Sequence, residues 1–388
     1  MTNILFDIRM AQSYLKHGVF RYCWDLVLHL TKNKLPEQNV FLLIDKRVSP
    51  MAFQKCQEAH LNIVDLGEFD KKTENLVFDD WIVGTFIYFW SPQKWETVTY
   101  IYPENIIKKC RRIIGIIFDM IPLYHQEECL QTWGQKINFA LQFEALKLAD
   151  HYLCISQYTM KVVQQLLNRP KNDFTCIYGS TDLNRWHNKN SEIPYCAMTR
   201  KNHITYVAGD IPRKNVDNLI YAFCKAMHSG KIPQDTTLWI LSSHKSPEMT
   251  TYLKKEHLNE QVCFPGFITD KEMLDLIASA RCNFFPSLYE GLGLPILESY
   301  AAGTPCFAAN TTSTKELVRP EDCFDPTKSE EISEFIIRAF NDEKMCQANL
   351  EFGRQLLKKL TWDNVAKHVI QILTTGEKER PHVVGEVQ

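Results

Sequence analysis

Residues 285–298 read FPSLYEGLGLPILE, and the reading of this stretch decides the fold. Residues 282–285 (CNFF) form a short apolar run that stops where turn formers begin, the pattern of a buried strand. Gly291 and Gly293 let a ligand come close to the main chain, and Pro295 suits the first turn of a helix. Strand, glycine turn and helix start therefore fall together at the mouth of a sheet, where free N–H groups of a helix N-terminus attract phosphate. Glu290 opens the turn, and Glu298 lies eight residues on, inside the helix. The first could accept hydrogen bonds from sugar hydroxyls, and the second could hold a ribose. Spacing alone suits a plain strand–turn–helix connection with a solvated Glu290 equally well.

The same alternation continues on either side. Residues 204–208 (ITYVA), 237–241 (TLWIL) and 304–308 read as strands, and 215–227, 272–280, 295–302 and 330–340 as helices. An earlier series runs through the first half. Residues 3–7 (NILFD) and 40–45 (VFLLID) are strands with a helix over 20–30 between them, a βαβ unit that implies a parallel sheet. Residues 112–119 (RIIGIIFD) and 151–155 (HYLCI) read as further strands and 134–149 as a helix, while Ser156 caps a helix reaching about residue 167. The aperiodic polar stretch 183–202 reads as a linker. Two doubly wound α/β domains are expected, with ligands in a cleft at the carboxyl ends of their strands. The first spans 1–185 and is joined by a helix over 361–375; the second spans 195–355. The polar tail 377–388 is expected to fray.

Composition narrows the function classes. With 388 residues, 45% hydrophobic and 23% charged, the chain fits a soluble globular protein of two or three domains, not a disordered or fibrous one. Its 44 basic and 46 acidic residues leave a formal net charge of −2, which argues against nucleic acid as a main partner. The 13 cysteines include no C-x2-C pair and read as small buried hydrophobes of a reducing cytoplasm. The longest apolar run, 81–90 (WIVGTFIYFW), falls short of the about 20 residues that a membrane helix takes. The first residues carry an acid at Asp7 and do not form a signal peptide. The basic cluster 108–112 (KKCRR) either meets an anionic membrane surface peripherally or is a solvated strand entrance. No metal-binding pattern stands out, so neither a metal nor another cofactor is expected.

Extended through Glu298-Ser-Tyr-Ala-Ala-Gly-Thr-Pro305, the opening stretch resembles the E-x7-E signature of retaining glycosyltransferases with the GT-B fold, specifically family 4. Ser299 stands where that family often has Ala. The resemblance implies two Rossmann-like domains facing each other across a cleft, the second binding a nucleotide-sugar donor and the first presenting a glycan or lipid-linked glycan acceptor. It makes Glu290 a positioning and electrostatic group on the sugar, Glu298 the ribose ligand, and Gly291, Leu292, Gly293 and Leu294 the donor-binding turn. Residues 207–215 (VAGDIPRKN) resemble the segment that opens the second domain, with Ala208 where the pattern has Gly. Its lysine, here Lys214, contacts the donor diphosphate with Arg213 as helper, and fixed cations aimed at a departing diphosphate lower the barrier. The plain alternative is a solvated loop before a helix. Residues 266–273 (GFITDKEM) resemble the segment beside the nucleotide base, which points to Gly266 and Phe267. A turn before a capped helix accounts for them equally well.

The first half resembles polysaccharide mannosyltransferase-like members. Residues 6–9 (FDIR) and 18–22 (GVFRY) match their F-D-x-R and G-I-G-R-Y, which places Gly18 against the donor, with Phe20 in place of the second Gly. Residues 118–122 (FDMIP) match H-D-x-I-P, with Phe118 in place of His. Asp119 then either faces the acceptor hydroxyl or caps its loop. By resemblance the reaction is metal-independent transfer with retention, from GDP-mannose before UDP-sugars, in the cytoplasm or at the inner face of a membrane. Phe20 and Phe118 motivate a rival, a non-catalytic scaffold that binds or regulates. A phosphorylase-like enzyme of the same fold would need a pyridoxal lysine and a longer chain. The sugar, base, acceptor and oligomeric state stay open at this point.

Overall fold

Two runs of alternating strand and helix build two parallel sheets in the computed structural model, which describes residues 1–12, 18–85, 102–181, 199–241, 244–266 and 268–375. Phe267, most of the expected linker and the polar tail lie outside the described residues. The first sheet holds β1 (Thr2–Asp7), β2 (Gln38–Ile44), β3 (Asn62–Asp65), β4 (Phe78–Thr85), β5 (Cys110–Ile117), β6 (His151–Cys154) and β7 (Phe174–Cys176). Their spatial order is β3-β2-β1-β4-β5-β6-β7, all parallel. The second holds β8 (His203–Val207), β9 (Thr237–Leu241), β10 (Val262–Cys263), β11 (Cys282–Phe285), β12 (Cys306–Ala309) and β13 (Cys323–Phe324), ordered β10-β9-β8-β11-β12-β13 and again parallel. Each sheet reverses its winding once, between β1 and β4 and between β8 and β11, and such reversals are where doubly wound folds bind ligands.

The strands form because their sequences are apolar on both faces, as helix-covered parallel sheets require. Ile113, Ile114, Ile116 and Ile117 of β5 are all buried. The chain divides into two units, one of residues 1–179 with the segment from 361 onward, the other of 180–360.

In the first unit the helix Gly18–Asn33 buries Phe20, Tyr22, Cys23, Leu26, Val27 and Leu30. The helix Trp362–Thr375 packs on it, with Trp362 edge-on to Tyr22 at 5.0 Å. Asp363 accepts from Asn33 Nδ2 at 2.7 Å and meets His29 Nδ1 at 2.8 Å and Lys32 Nζ at 3.2 Å. Hydrogen bonds from Asn33 and His29 hold its carboxyl well below the usual carboxylate range. The basic cluster 108–112 proves to be engaged within this unit. Lys108 pairs with Glu104 at 2.6 Å, Lys109 donates to the Thr73 carbonyl, and Arg111 pairs with Asp79 at 3.1 Å. Arg112 is buried against Asp80 at 2.5 Å and donates to the Leu373 carbonyl at 3.1 Å. Among the described residues no helix is long and apolar enough to cross a membrane.

In the second unit, rings of Phe284 in β11, Phe307 in β12, Phe324 in β13 and Phe335 in the helix Ser329–Asn341 pack at 5.6–6.0 Å between centroids. The helix Asp270–Ser279 starts at a reciprocal cap between Thr269 and Glu272.

Candidate functional site

β8 and β11 are neighbours in register, Ile204 against Cys282 and Thr205 against Asn283, so the loops that follow them leave the same edge of the second sheet. The first loop tightens into the 3-10 turn Pro212–Lys214 and ends at Asn215, which is left-handed at φ 58°. Asn tolerates that conformation better than most residues. Its amide donates to the carbonyls of Pro286 at 3.1 Å and Pro326 at 2.7 Å, tying the β8 loop to the β11 loop. The Leu288 N–H donates to the Arg213 carbonyl at 2.8 Å. From the strand below, the Tyr206 hydroxyl donates to the Lys214 carbonyl at 2.7 Å and lies 3.0 Å from Ser287 Oγ. Burial pushes that hydroxyl far above its ordinary pKa, so it stays protonated.

On this frame three charged side chains meet. Lys214 Nζ lies 2.6 Å from Glu290 Oε1, and Arg213 Nη1 lies 3.4 Å from the same oxygen while donating to the Tyr289 carbonyl at 3.0 Å. Lys214 also sits over the Phe285 ring, 5.6 Å from its centroid. The three side chains are only 11–16% exposed. Burial alone would raise the Glu290 carboxyl, but the charges of Lys214 and Arg213, with hydrogen bonds from Lys214 and Ser287, hold it below the ordinary value. Glu290 is therefore ionised. The arrangement is a pair of fixed cations, at the winding reversal of a parallel sheet, with one buried carboxylate between them.

The turn beyond Glu290 is equally fixed. The Glu290 N–H donates to Thr312 Oγ1 at 3.1 Å, and Ser313 Oγ donates to the carbonyls of Glu290 and Leu292 at 2.9 and 3.1 Å. Gly293 stands at φ 101° and starts the helix Leu294–Ala301, with Pro295 in its first turn. Gly291 and buried Leu292 lie in the turn, Leu294 opens the helix, and Glu298 is buried within it. Gly266, at φ 70°, lies between β10 and the helix Asp270–Ser279, with open space where a side chain would stand. Sequence reasoning did not single out Tyr206, Ser287, Thr312 or Ser313. Tyr206 and Ser287 lie in or just past apolar strands, and the polar run 310–314 (NTTST) after β12 was the one signal available for the others.

Gly18 and Asp119 belong to the first unit. Gly18 opens its helix and is exposed. Asp119 Oδ1 accepts from the Ile121 N–H at 2.9 Å, which caps the loop after β5. Phe20 stacks on Trp24 at 6.0 Å, and Phe118 meets Tyr22 edge-on at 5.4 Å. Both phenylalanines are core residues, 1% and 5% exposed. Among the described residues no group of three or more His, Cys, Asp or Glu is placed to hold a metal ion.

Comparison with known proteins adds a family match over part of the chain. Residues 196–356 match the family of glycosyl transferases group 1. The chain is 23% identical over 260 residues to the O-antigen chain mannosyltransferase B of Escherichia coli, covering 64% of this chain and 65% of that protein. It is 27% identical over 280 residues to the serotype-specific mannosyltransferase WbdA of Escherichia coli, covering 68% of this chain and 33% of that protein. The chain thus spans less than two thirds of the length of these relatives. Among solved structures, Alr3699/HepE of Anabaena in complex with UDP and glucose superposes with a TM-score of 0.69 at 15% identity, covering 97% of this chain and 100% of that one. That likeness shows the fold: the two Rossmann-like parallel-sheet units are of the GT-B type.

Proposed function

We propose that this chain, whose residues 196–356 match the glycosyl transferases group 1, is a glycosyltransferase that moves a sugar from a nucleotide-sugar to a hydroxyl of a glycan or lipid-linked glycan. The observation that carries the reading is the contact of Lys214 and Arg213 with Glu290 where the second sheet reverses. The mannosyltransferase names of its relatives support mannose, and hence GDP-mannose, as the donor; the UDP in the Anabaena complex supports a UDP-sugar as the second choice.

In this reading Lys214 and Arg213 take the donor diphosphate, whose charge grows as it leaves. Glu290 holds the sugar hydroxyls and Glu298 the ribose. Gly266, Phe267 and the turn Gly291, Leu292, Gly293 and Leu294 surround the nucleotide. The bond from acceptor oxygen to anomeric carbon forms on the face from which the carbon–phosphate-oxygen bond breaks, and the leaving diphosphate takes the acceptor proton. The two cations meet the charge on the diphosphate, so no divalent ion is required. Thermal unfolding with GDP, UDP, ADP and CDP tests the reading, followed by transfer assays with the matching nucleotide-sugar in the presence of a chelator. One diphosphate at 100 times its Kd should add about 2.7 kcal/mol of stability. No shift with any of the four would sink the assignment.

A further inference from the structure

Three charged side chains crowd one point of the site. Two cations share one carboxylate oxygen, at 2.6 Å from Lys214 and 3.4 Å from Arg213, and all three side chains are nearly shut off from water. The backbone on every side is pinned, by Asn215 and Leu288 between the loops, by Tyr206 from below, and by Thr312 and Ser313 on Glu290 itself. With the backbone held at these points, an exchange of partners at Lys214 falls to the side chains. Ser287, a third hydrogen-bond donor to the Glu290 carboxylate beside Lys214 and Arg213, lies within the same loop. A diphosphate arriving at Lys214 would bring like charge against that carboxylate in surroundings where screening is weak.

We propose that Glu290 is the resident anion of the phosphate clamp, holding Lys214 until the diphosphate of the donor displaces it. The inference rests on the donor-site reading above. The displaced carboxylate is then available to the sugar only when a diphosphate is already in place, which couples sugar recognition to nucleotide binding. It also makes donor binding weaker than the two cations alone would permit, because each binding event must break a formed contact. A free nucleoside diphosphate breaks that contact and offers no sugar in return, so it should bind less well than the full donor.

Glu290→Gln keeps the shape of the side chain and removes its charge. The experiment titrates into each protein, by calorimetry, the nucleoside diphosphate that stabilises the wild type. Glu290→Gln should bind it about tenfold more tightly, within the usual range of coupling between two sites. Its turnover with the nucleotide-sugar should fall. In the double variant with Lys214→Gln, the tenfold gain should vanish. A purely structural role for Glu290, compensating two buried cations, predicts instead lower stability with unchanged or weaker binding. Equal or weaker binding by Glu290→Gln overturns the proposal. If that variant does not fold, Glu290→Asp draws the carboxylate back by about one carbon–carbon bond, ~1.5 Å, and decides in the same way: tighter binding supports the displacement, equal or weaker binding overturns it. Should none of the four diphosphates bind the wild type, the donor-site reading itself fails. Binding to the wild type without a gain in the variants sinks the displacement alone.

Discussion

Lys214 has two partners to lose, the carboxylate it touches and the diphosphate it is proposed to meet. Lys214→Ala should lower kcat by about 10²-fold, the loss typical when a group aimed at developing charge is removed. It should also destabilise the second unit, but by less than the about 3–5 kcal/mol that stranding a buried charge usually brings, since Arg213 still faces Glu290. Turnover measured beside denaturant midpoints separates the two effects, and unchanged turnover would take Lys214 out of the mechanism. The motifs that hold Arg213, Lys214 and Glu290 were legible as local strings. Their mutual contact was not, because residues 76 apart meet only through the pairing of β8 with β11. Nor was the hydroxyl frame legible: Tyr206 and Ser287 look like strand and turn filler until the Lys214 carbonyl is seen above them. Nor were the partners of Phe20 and Phe118 legible: both pack against aromatic rings in the first unit.

Among the elements, the helix Leu294–Ala301 depends most on one residue. Gly293 holds φ 101°, and a Cβ there would stand 3.1 Å from Ile296 Cδ1. Gly293→Ala should cost about 1–3 kcal/mol, as non-glycine residues in sparsely populated backbone regions do, and should weaken nucleoside diphosphate binding with it. Wild-type denaturant midpoints in this variant would contradict that. β8 carries a pH dependence of its own. Burial pulls His203 below its ordinary pKa, against the hydrogen bond its Nε2 makes to the Leu276 carbonyl at 2.9 Å. The unfolded chain takes up a proton near pH 6.5 that the folded chain resists. Stability from this residue is therefore complete above about pH 6.5 and is lost as pH falls below it, by at most about 1.4 kcal/mol per pH unit. Unfolding followed from pH 7.5 down to 5.5 should show that slope, and His203→Gln should flatten it. β1, β2, β5, β8 and β9 and the helices Gly18–Asn33 and Ser329–Asn341 could be read from periodicity, to within a few residues, while β4 stood out only as an apolar run. β10 and β13 could not, since two residues carry no period, and neither could β7 with three. Of the apolar run 81–90, residues 81–85 belong to β4 and the rest lies outside the described residues. The helix Glu343–Lys359 went unread because its exposed face is so polar that the buried Met345, Cys346, Leu350 and Leu357 do not stand out.

At the scale of the whole chain, the second unit is inserted between two parts of the first, residues 1–179 and the segment from 361. The helix Trp362–Thr375 covers the helix Gly18–Asn33 through Trp362 and Asp363. A chain ended at residue 360 should therefore keep a folded second unit and lose protection of amide hydrogens in Gly18–Asn33. Asp363→Ala should produce a milder form of the same loss, and full protection in the shortened chain would count against the dependence. The same insertion has a consequence for biosynthesis. About 180 residues separate the end of the first segment from the helix that completes it. At ribosomal speeds of about 5–20 residues per second, that is a wait of roughly 9–36 s. The nascent chain thus starts one unit, finishes the other, and only then closes the first. For that interval Tyr22 and its neighbours lack their cover, and it is then that a chaperone would find this protein.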